Sequence, residues 1–301
     1  MNDALAKPWQ PERTVTLEDV EPIIASHVPI ASLTPLGSGW DNSAWRVVGA
    51  EDGAAWVFRF PRRAIAAPLL EREVSVMPAL APSLPLPVTA PRFSGLGPDG
   101  WPYAGYPFIV GDILALVDDV GDKPKRASLG TAMGEFVRAL HALQPVVSLG
   151  DDTMGKVDVR RRLPIVRAIS ERLGTKIPEV ILVEAERVAM AGRARVIVHG
   201  DLDGRHVLVD AAGDATGVMD WGDVHLGDPA TDLAFVYSAL EGPARDAFSE
   251  AYGAIPGGID TLALARFRAV QTTLATLDWA IDIDDAVMIA ALERALNRAV
   301  A

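Results

Sequence analysis

The densest cluster of polar and titratable residues lies in Val198–Asp210, VHGDLDGRHVLVD, together with Gly217–Asp223, GVMDWGD. A turn after the first apolar run exposes Asp201 and, five positions later, His206. Apolar runs on both sides of the next polar turn predict a β-hairpin that carries Asp220 at its far end. Two carboxylates and one imidazole at the ends of a short hairpin can share one site. One acid is then free to accept a proton, while the other groups hold a divalent ion.

Helical periodicity dominates the chain on both sides of this hairpin. Apolar residues recur at the spacing that places them on one face of a helix, and prolines stand at several helix starts. Because the only strands predicted here are short, this part of the chain reads as mostly helical. The predicted helices cover residues 128–143, 161–173, 178–191, 229–240, 243–252, 259–281 and 284–299, with a strand at 195–198.

The first 110 or so residues have a different pattern, rich in strand-like runs. Residues 33–60 alternate such runs with turns, residues 68–80 predict one helix, and residues 103–110 predict a further strand. We therefore predict the α+β class with two lobes: a small β-rich N-lobe, residues 1–107, and a large, mostly helical C-lobe, residues 108–301. A cleft between two such lobes is a common place for a ligand.

Composition excludes several classes of protein. Among 301 residues, 40 acidic side chains outnumber 28 basic ones, and a net charge of −12 argues against a nucleic-acid partner. The absence of cysteine excludes disulfides, thiolate zinc sites and a cysteine nucleophile. No apolar run is long enough to span a membrane, and the first residues lack the apolar core of a signal peptide. We expect a soluble, cytoplasmic monomer that acts on a small molecule.

The motifs resemble those of the aminoglycoside phosphotransferase superfamily, which has a bilobal protein-kinase-like fold. His199-Gly200-Asp201 followed by His206 is similar to its catalytic loop, and Asp220-Trp221-Gly222 is similar to the kinase Asp-Phe-Gly motif. Upstream, residues 36–43 resemble the loop that covers the phosphates. The match runs in the correct order over about residues 30–240. Among members of the superfamily, macrolide 2′-phosphotransferases are the most similar.

The resemblance implies a role for each motif. Asp201 would be the catalytic base, and His206 with Asp220 would hold Mg²⁺. Arg59 would contact phosphate and pair with Glu73. Tyr106 would fall at the gatekeeper position. In macrolide phosphotransferases and aminoglycoside 2″-phosphotransferases a bulky tyrosine there goes with GTP rather than ATP, so GTP is the expected nucleotide. The expected nucleotide-binding residues are Gly37, Ser38, Gly39, Asn42, Arg59, Glu73 and the hinge residues Tyr106, Pro107, Phe108 and Ile109.

The acceptor is expected to be the 2′-hydroxyl of a macrolide, which would make the protein an antibiotic-resistance kinase. An aminoglycoside O-phosphotransferase or another small-molecule kinase of the superfamily stays open. A metal-dependent hydrolase that uses the histidines near Asp201 and a non-catalytic nucleotide-binding pseudokinase are further alternatives. The candidate acceptor-binding residues are Asp203, Asp223, Leu274, Asp278 and Trp279.

Overall fold

A computed structural model describes residues 9–117, 123–144, 149–190 and 192–301, and of residues 123–126 it describes the backbone alone. These residues form two compact units. The first reaches Pro82 and includes Thr89–Ile109; the second takes in Ser83–Val88 and the described residues from Val110 onward. A small antiparallel sheet marks the first unit and helices dominate the second, which confirms the predicted α+β class.

The first unit is built on a five-stranded sheet in the order β1-β2-β3-β5-β4, with every neighbouring pair antiparallel. Alternate residues of β2 are buried, as expected of a strand with one face on a core. Trp45, Val47 and Phe58 form that core with Val20 and Ile24 of α1. The elements are α1 (Leu17–Ala25), β1 (Ile30–Ser38), β2 (Asn42–Gly49), β3 (Ala55–Pro61), α2 (Ala66–Leu80), β4 (Phe93–Leu96) and β5 (Pro102–Pro107).

The second unit is mostly helical, and two small sheets carry its loops. One sheet has the order β6-β8-β9 and the other pairs β10 with β7, all antiparallel. The 25-residue helix α8 packs against α4, α5, α6 and α9, so it forms the centre of this unit. The elements are β6 (Asp112–Ile113), α3 (Lys123–Ala142), α4 (Val159–Leu173), α5 (Glu179–Glu186), β7 (Val196–Val198), β8 (Val207–Val209), β9 (Ala215–Val218), β10 (His225–Gly227), α6 (Ala230–Ala239), α7 (Pro243–Tyr252), α8 (Gly258–Asp282) and α9 (Ala286–Val300).

The predicted helices and strands are confirmed, with shifted ends. The strand predicted over 103–110 ends at Pro107, and the helix predicted over 178–191 ends at Glu186, with Ala191 outside the described residues. The helix predicted from residue 128 begins at Lys123. In the described part of the chain no helix is both long and apolar enough to cross a membrane.

Candidate active site

The turn that carries Asp201 is held from behind by a buried carboxylate. Asp232, in the first turn of α6, accepts hydrogen bonds from the backbone N–H groups of His199 (2.8 Å) and Gly200 (3.0 Å). Gly200 has φ +91°, and a Cβ there would lie 2.2 Å from the backbone oxygen of Asp223. Only glycine therefore fits between the two loops. Asp232 therefore holds the turn that carries Asp201 in place.

His199 links the turn to the residue before Asp220. Its Nε2 donates to the backbone oxygen of Met219 (3.0 Å), and its Nδ1 accepts from the backbone N–H of Asp201 (3.3 Å). Burial lowers the pKa of His199, which suits the neutral tautomer that these two bonds require. Because both ring nitrogens are engaged, His199 has a structural role, and the zinc-hydrolase alternative loses one of its ligands.

His206 and Asp220 come together as the sequence predicts. His206 Nε2 lies 3.7 Å from Asp220 Oδ2, and its Nδ1 donates to the backbone oxygen of Asp201 at 2.6 Å. That bond fixes the tautomer and leaves the Nε2 lone pair on the side of Asp220, as in many metal-binding histidines. Asp220 has φ +67°, a strained value for a residue other than glycine, which aims its carboxylate. This donor pair fits a divalent cation.

Two ligands alone do not complete a metal site. Among the residues that the structure describes, no three His, Asp or Glu side chains cluster as a complete ligand set. Mg²⁺ commonly keeps waters and takes substrate phosphate oxygens beside one or two protein ligands. His206 and Asp220 thus suit a cation that arrives with a nucleotide.

Cationic side chains surround the Asp201 carboxylate. Arg268 Nη2 lies 3.3 Å from Oδ1, and Arg205 Nη2 lies 3.5 Å from Oδ2. Burial alone would raise the pKa of Asp201, but the charges of Lys156, Arg205 and Arg268 hold it well below its usual range. Asp201 is therefore ionised at neutral pH and can orient a hydroxyl group as a hydrogen-bond acceptor.

The sequence did not predict the three cations near Asp201, which are Lys156, Arg205 and Arg268. Arg205 lies within Val198–Asp210, so its position next to His206 could have identified it as a charge near Asp201. Arg268 is 6% exposed in the middle of α8. A lone arginine within an apolar helical pattern was its only signal, and nothing in the sequence singles out Lys156.

The predicted acceptor carboxylates are already paired. Asp203 accepts from Arg205 Nε (2.9 Å) and Nη2 (2.5 Å) through Oδ2, and Asp223 pairs with the buried Lys156 at 2.9 Å. Asp278 forms an ion pair with Arg172. Each of these three acids is therefore neutralised within the second unit.

The two apolar candidates on α8 differ in access. Leu274 has no exposed surface, so its side chain belongs to the core of the second unit and not to an accessible acceptor site. It lies on the face of α8 that the helical period buries. Trp279, five residues on, is only partly buried and keeps accessible surface.

In the first unit, Arg59 and Glu73 form the expected ion pair. Arg59 Nη1 donates to Glu73 Oε2 at 3.0 Å, and Glu73 is fully buried, whereas the Arg59 side chain is 14% exposed. The guanidinium carbon lies 5.9 Å from the ring centre of Tyr106, which is itself buried. The pair thus fixes a cation beside the gatekeeper ring.

The predicted phosphate-covering loop joins β1 to β2. Gly37 has φ +144°, and no atom lies within 4 Å of a Cβ placed there or at Gly39. Gly39 N–H donates to the Asn42 carbonyl (3.0 Å), and Ser38 Oγ lies 3.1 Å from Ser43 Oγ. The loop is therefore a closed turn with open space above its glycines.

The predicted hinge follows β5. Phe108 N–H donates to the Ala55 carbonyl at 2.9 Å, and its ring lies over the Arg46 guanidinium at 5.0 Å. This occupies the Phe108 N–H within the first unit. Of the hinge groups, the Pro107 carbonyl and the Ile109 N–H are the ones expected to meet a purine.

Comparison with known proteins identifies the fold and the family. The GDP and kanamycin complex of an aminoglycoside phosphotransferase, APH(2″)-IIIa, matches with a TM-score of 0.69 and 20% identity, covering 93% of this chain and 97% of that one. The macrolide 2′-phosphotransferase apoenzyme of Brachybacterium faecium matches with a TM-score of 0.62 and 23% identity, covering 92% and 97%. Viomycin phosphotransferase of Streptomyces vinaceus is 51% identical over 43 residues, which are 13% of this chain and 15% of that protein's length. A family model described as "Phosphotransferase enzyme family" matches residues 32–269. The chain therefore belongs to this family of phosphotransferases.

Proposed function

We propose that the protein is an antibiotic kinase that transfers the γ-phosphate of GTP to the 2′-hydroxyl of a macrolide amino sugar. The observation that supports a macrolide acceptor is that neighbouring cations neutralise Asp203, Asp223 and Asp278. An aminoglycoside carries several ammonium groups and needs several carboxylates that are free to pair with them. A macrolide is mostly apolar and carries one amine, which suits a site whose charges already balance.

The charge balance extends to Asp201 itself. The charges of Lys156, Arg205 and Arg268 already act on this carboxylate, so a polycationic acceptor would find no uncompensated negative charge at the acid that orients its hydroxyl. Like charges brought together in a partly buried site weaken binding strongly. This favours an acceptor of low positive charge.

GTP is proposed on the basis of Tyr106. Its buried ring beside Arg59 fills space at the end of β5, where a smaller residue would leave room. The aminoglycoside phosphotransferase above was solved with GDP, whereas another neighbour, an APH(2″)-IIa with a TM-score of 0.59, was solved with streptomycin and ATP. Fold likeness therefore leaves the nucleotide open, and the choice of GTP rests on the tyrosine.

The proposed chemistry assigns work to each group. Arg59 and the glycines of the β1–β2 loop hold the nucleotide phosphates, and Asp201 orients the acceptor hydroxyl and takes its proton. His206 and Asp220 would hold Mg²⁺, which neutralises charge on the phosphates. Phosphoryl transfer depends mainly on positioning and charge neutralisation, and an arrangement of fixed charges is suited to both.

The first test is an acceptor panel. Purified protein is incubated with Mg²⁺ and either GTP or ATP, together with erythromycin, azithromycin, kanamycin, gentamicin or viomycin, and acceptor mass is measured. We expect a phosphate on the macrolides with GTP. Phosphate on aminoglycosides or viomycin alone would overturn the acceptor and the charge argument behind it. Nucleotide binding with no acceptor modified would favour the pseudokinase alternative.

Asp201→Asn tests the mechanism within the same panel. Loss of a positioned general base lowers turnover by about 10²–10⁴-fold. Asp214→Asn, an exposed acid in the β8–β9 turn, is the matched control and should leave turnover unchanged. Near-wild-type turnover by Asp201→Asn would contradict the assignment of the base.

A further inference from the structure

Arg205 is held in place by its neighbour in the catalytic loop. Its Nε lies 3.1 Å from Asp203 Oδ1 and 2.9 Å from Oδ2, and its Nη2 lies 2.5 Å from Oδ2. Its own backbone N–H also donates to Asp203 Oδ1, at 2.7 Å. A guanidinium fixed by this many bonds has little rotational freedom left to lose.

The Arg205 guanidinium also lies next to the carboxylate of Asp201. Arg205 Nη2 is 3.5 Å from Asp201 Oδ2, whereas Oδ1 of the same carboxylate is bonded by Arg268. The Arg205 side chain is 18% exposed and that of Asp201 is 26% exposed, so both reach the surface together. Within the described residues, Arg205 Nη1 makes no hydrogen bond. A donor is thus available next to the oxygen that would orient the acceptor.

The placement of this charge needs an explanation beyond folding. Burial alone would lower the pKa of Arg205, but the charges of Asp203, Asp201 and Asp220 raise it, so it is always protonated. Asp203 alone would satisfy the ion pair. A cation beside Asp201 weakens that carboxylate as a proton acceptor, so base chemistry does not account for it. An anionic group that arrives during the reaction does.

We propose that Arg205 is a catalytic residue that contacts the phosphoryl group during its transfer, and that Asp203 is the positioning residue that aims it. This inference rests on the proposed function. The γ-phosphorus loses its bond to the bridging oxygen, whose electron pair leaves with the nucleoside diphosphate. The acceptor oxygen forms the new P–O bond, and its proton passes to Asp201 and then to water. Arg205 donates to a phosphoryl oxygen while negative charge is spread over the transferring group.

The competing explanation is that the Asp203–Arg205 pair only fixes the shape of the loop. In that case its loss would lower the melting temperature and reduce all activities through a smaller folded fraction. A residue that acts only in the transition state lowers kcat and leaves nucleotide binding in place. The separation of kcat from KM and from stability therefore distinguishes the two roles.

The primary experiment compares Arg205→Met, Arg205→Lys and the control Arg195→Met. Arg195 forms an exposed ion pair with Asp151 and serves as a matched arginine outside the site. Removal of one charge-stabilising donor typically costs about 10²–10³-fold in kcat. We expect that loss for Arg205→Met, a smaller loss for Arg205→Lys, and no change for Arg195→Met. The KM for GTP should stay near wild type, and kcat is calculated per folded protein because loss of the ion pair with Asp203 lowers the melting temperature as well.

The positioning role of Asp203 is tested by a double-mutant cycle. We expect Asp203→Asn to lower kcat less than Arg205→Met, and the double variant to be no slower than Arg205→Met alone. Additive losses would show that Asp203 acts independently, for example on the acceptor, and would overturn its positioning role. An unchanged kcat in Arg205→Met would overturn the proposal for Arg205.

A second readout separates this inference from the proposed function. Slow hydrolysis of GTP in the absence of any acceptor uses the same transferring group with water as the nucleophile. If the wild type hydrolyses GTP and Arg205→Met loses this activity while GTP still binds, the role of Arg205 stands even where no tested antibiotic is phosphorylated. If antibiotics are phosphorylated but Arg205→Met is as fast as the wild type in both assays, the proposed function stands and the inference falls.

Discussion

At the residue scale, Gly200 shows how one missing side chain shapes the candidate site. Its φ of +91° lies in the region that disfavours L residues, and the backbone oxygen of Asp223 occupies the space of a Cβ. The turn that carries Asp201 can lie this close to the loop after Asp220 only because residue 200 has no side chain. The sequence motif contains this glycine, but only the structure shows that both its backbone conformation and the close approach of Asp223 require it.

Gly200→Ala separates backbone strain from close packing. Gly174, the C-cap of α4, has φ +64° and open space around a Cβ, so Gly174→Ala measures strain alone, at about 1 kcal/mol. Gly200→Ala adds a clash with backbone, and we expect it to cost more than about 3 kcal/mol or to prevent folding. Urea unfolding of the two variants is the measurement. Equal costs would show that the Asp223 backbone yields easily.

At this scale, the sequence does not predict which cationic side chains lie beside Asp201. Asp201, His206 and Asp220 follow from motif order because their spacing places them at the ends of one hairpin. Arg268 lies 67 residues from Asp201 and meets it only through the packing of α8. No pattern in a single sequence reports such a contact.

At the element scale, α6 is joined to the catalytic turn by Asp232. Besides the two backbone N–H groups, this carboxylate faces His141 of α3 at 3.3 Å, and His141 in turn lies 2.9 Å from the Tyr252 hydroxyl of α7. One buried carboxylate therefore connects three helices and a loop. Burial raises the pKa of Tyr252 to about 12, aided by the charge of Asp232, so this hydroxyl stays protonated.

Asp232→Asn is predicted to destabilise the protein in a pH-dependent way. Burial alone would raise the pKa of Asp232, but the hydrogen bond and charge of His141, together with the hydrogen bond from the Gly200 backbone N–H, lower it. A folded-state pKa below the unfolded value near 3.9 stabilises the protein above about pH 4, and this contribution is lost as the pH falls below it. We expect the variant to lose about 2 kcal/mol at pH 7, because hydrogen bonds to a charged acceptor are lost.

The measurement is denaturant unfolding from pH 7 down to pH 3, with Asp246→Asn as the control. Asp246 is an exposed acid in the first turn of α7. The difference between wild type and Asp232→Asn should shrink as the pH falls below 4, while Asp246→Asn stays close to wild type throughout. A difference that is constant with pH would mean that the charge of Asp232 contributes nothing.

Elements with a clear apolar pattern were predictable, including the three-residue strands β7 and β8, whereas β6 and β10 were not. Helices such as α7 and α8 repeat their apolar residues over several turns, so periodicity locates them within a few positions. Strands β6 and β10 contain two and three residues and are defined by their partners β8 and β7. Each of these two segments holds a single aliphatic residue, so no apolar run marks it and only tertiary contacts reveal it.

At the scale of the whole molecule, the net charge of −12 is a poor guide to the site. The overall acidity favours cations in solution, yet Asp203, Asp223 and Asp278 are each paired with arginine or lysine. Composition averages over the surface, whereas recognition depends on which charges remain unpaired. The proposal of a macrolide rather than an aminoglycoside acceptor therefore draws its support from side-chain geometry and not from net charge.

Nucleotide choice also belongs to this scale, because the whole chain is stabilised by whatever binds its folded state. A ligand at 100 times its Kd adds about 2.7 kcal/mol to the free energy of unfolding, and this raises the melting temperature in a thermal scan. We expect Mg²⁺ with GTP to raise the melting temperature more than Mg²⁺ with ATP. Tyr106→Met should narrow this gap, since it removes the ring that fills the space beside Arg59.

Steady-state kinetics give the sharper form of this prediction. A change in the shape of an apolar pocket is worth about 1–3 kcal/mol in discrimination, so the ratio of kcat/KM for GTP to that for ATP should fall at least about tenfold in Tyr106→Met. Tyr103→Met is the matched control, because Tyr103 lies on the same strand but meets His27, with its hydroxyl 2.8 Å from Nε2. It should lower the melting temperature and leave the ratio unchanged. If both variants alter the ratio equally, the strand affects nucleotide choice through general packing and Tyr106 loses its special role. If neither does, selection of GTP lies with the hinge backbone at Pro107 and Ile109.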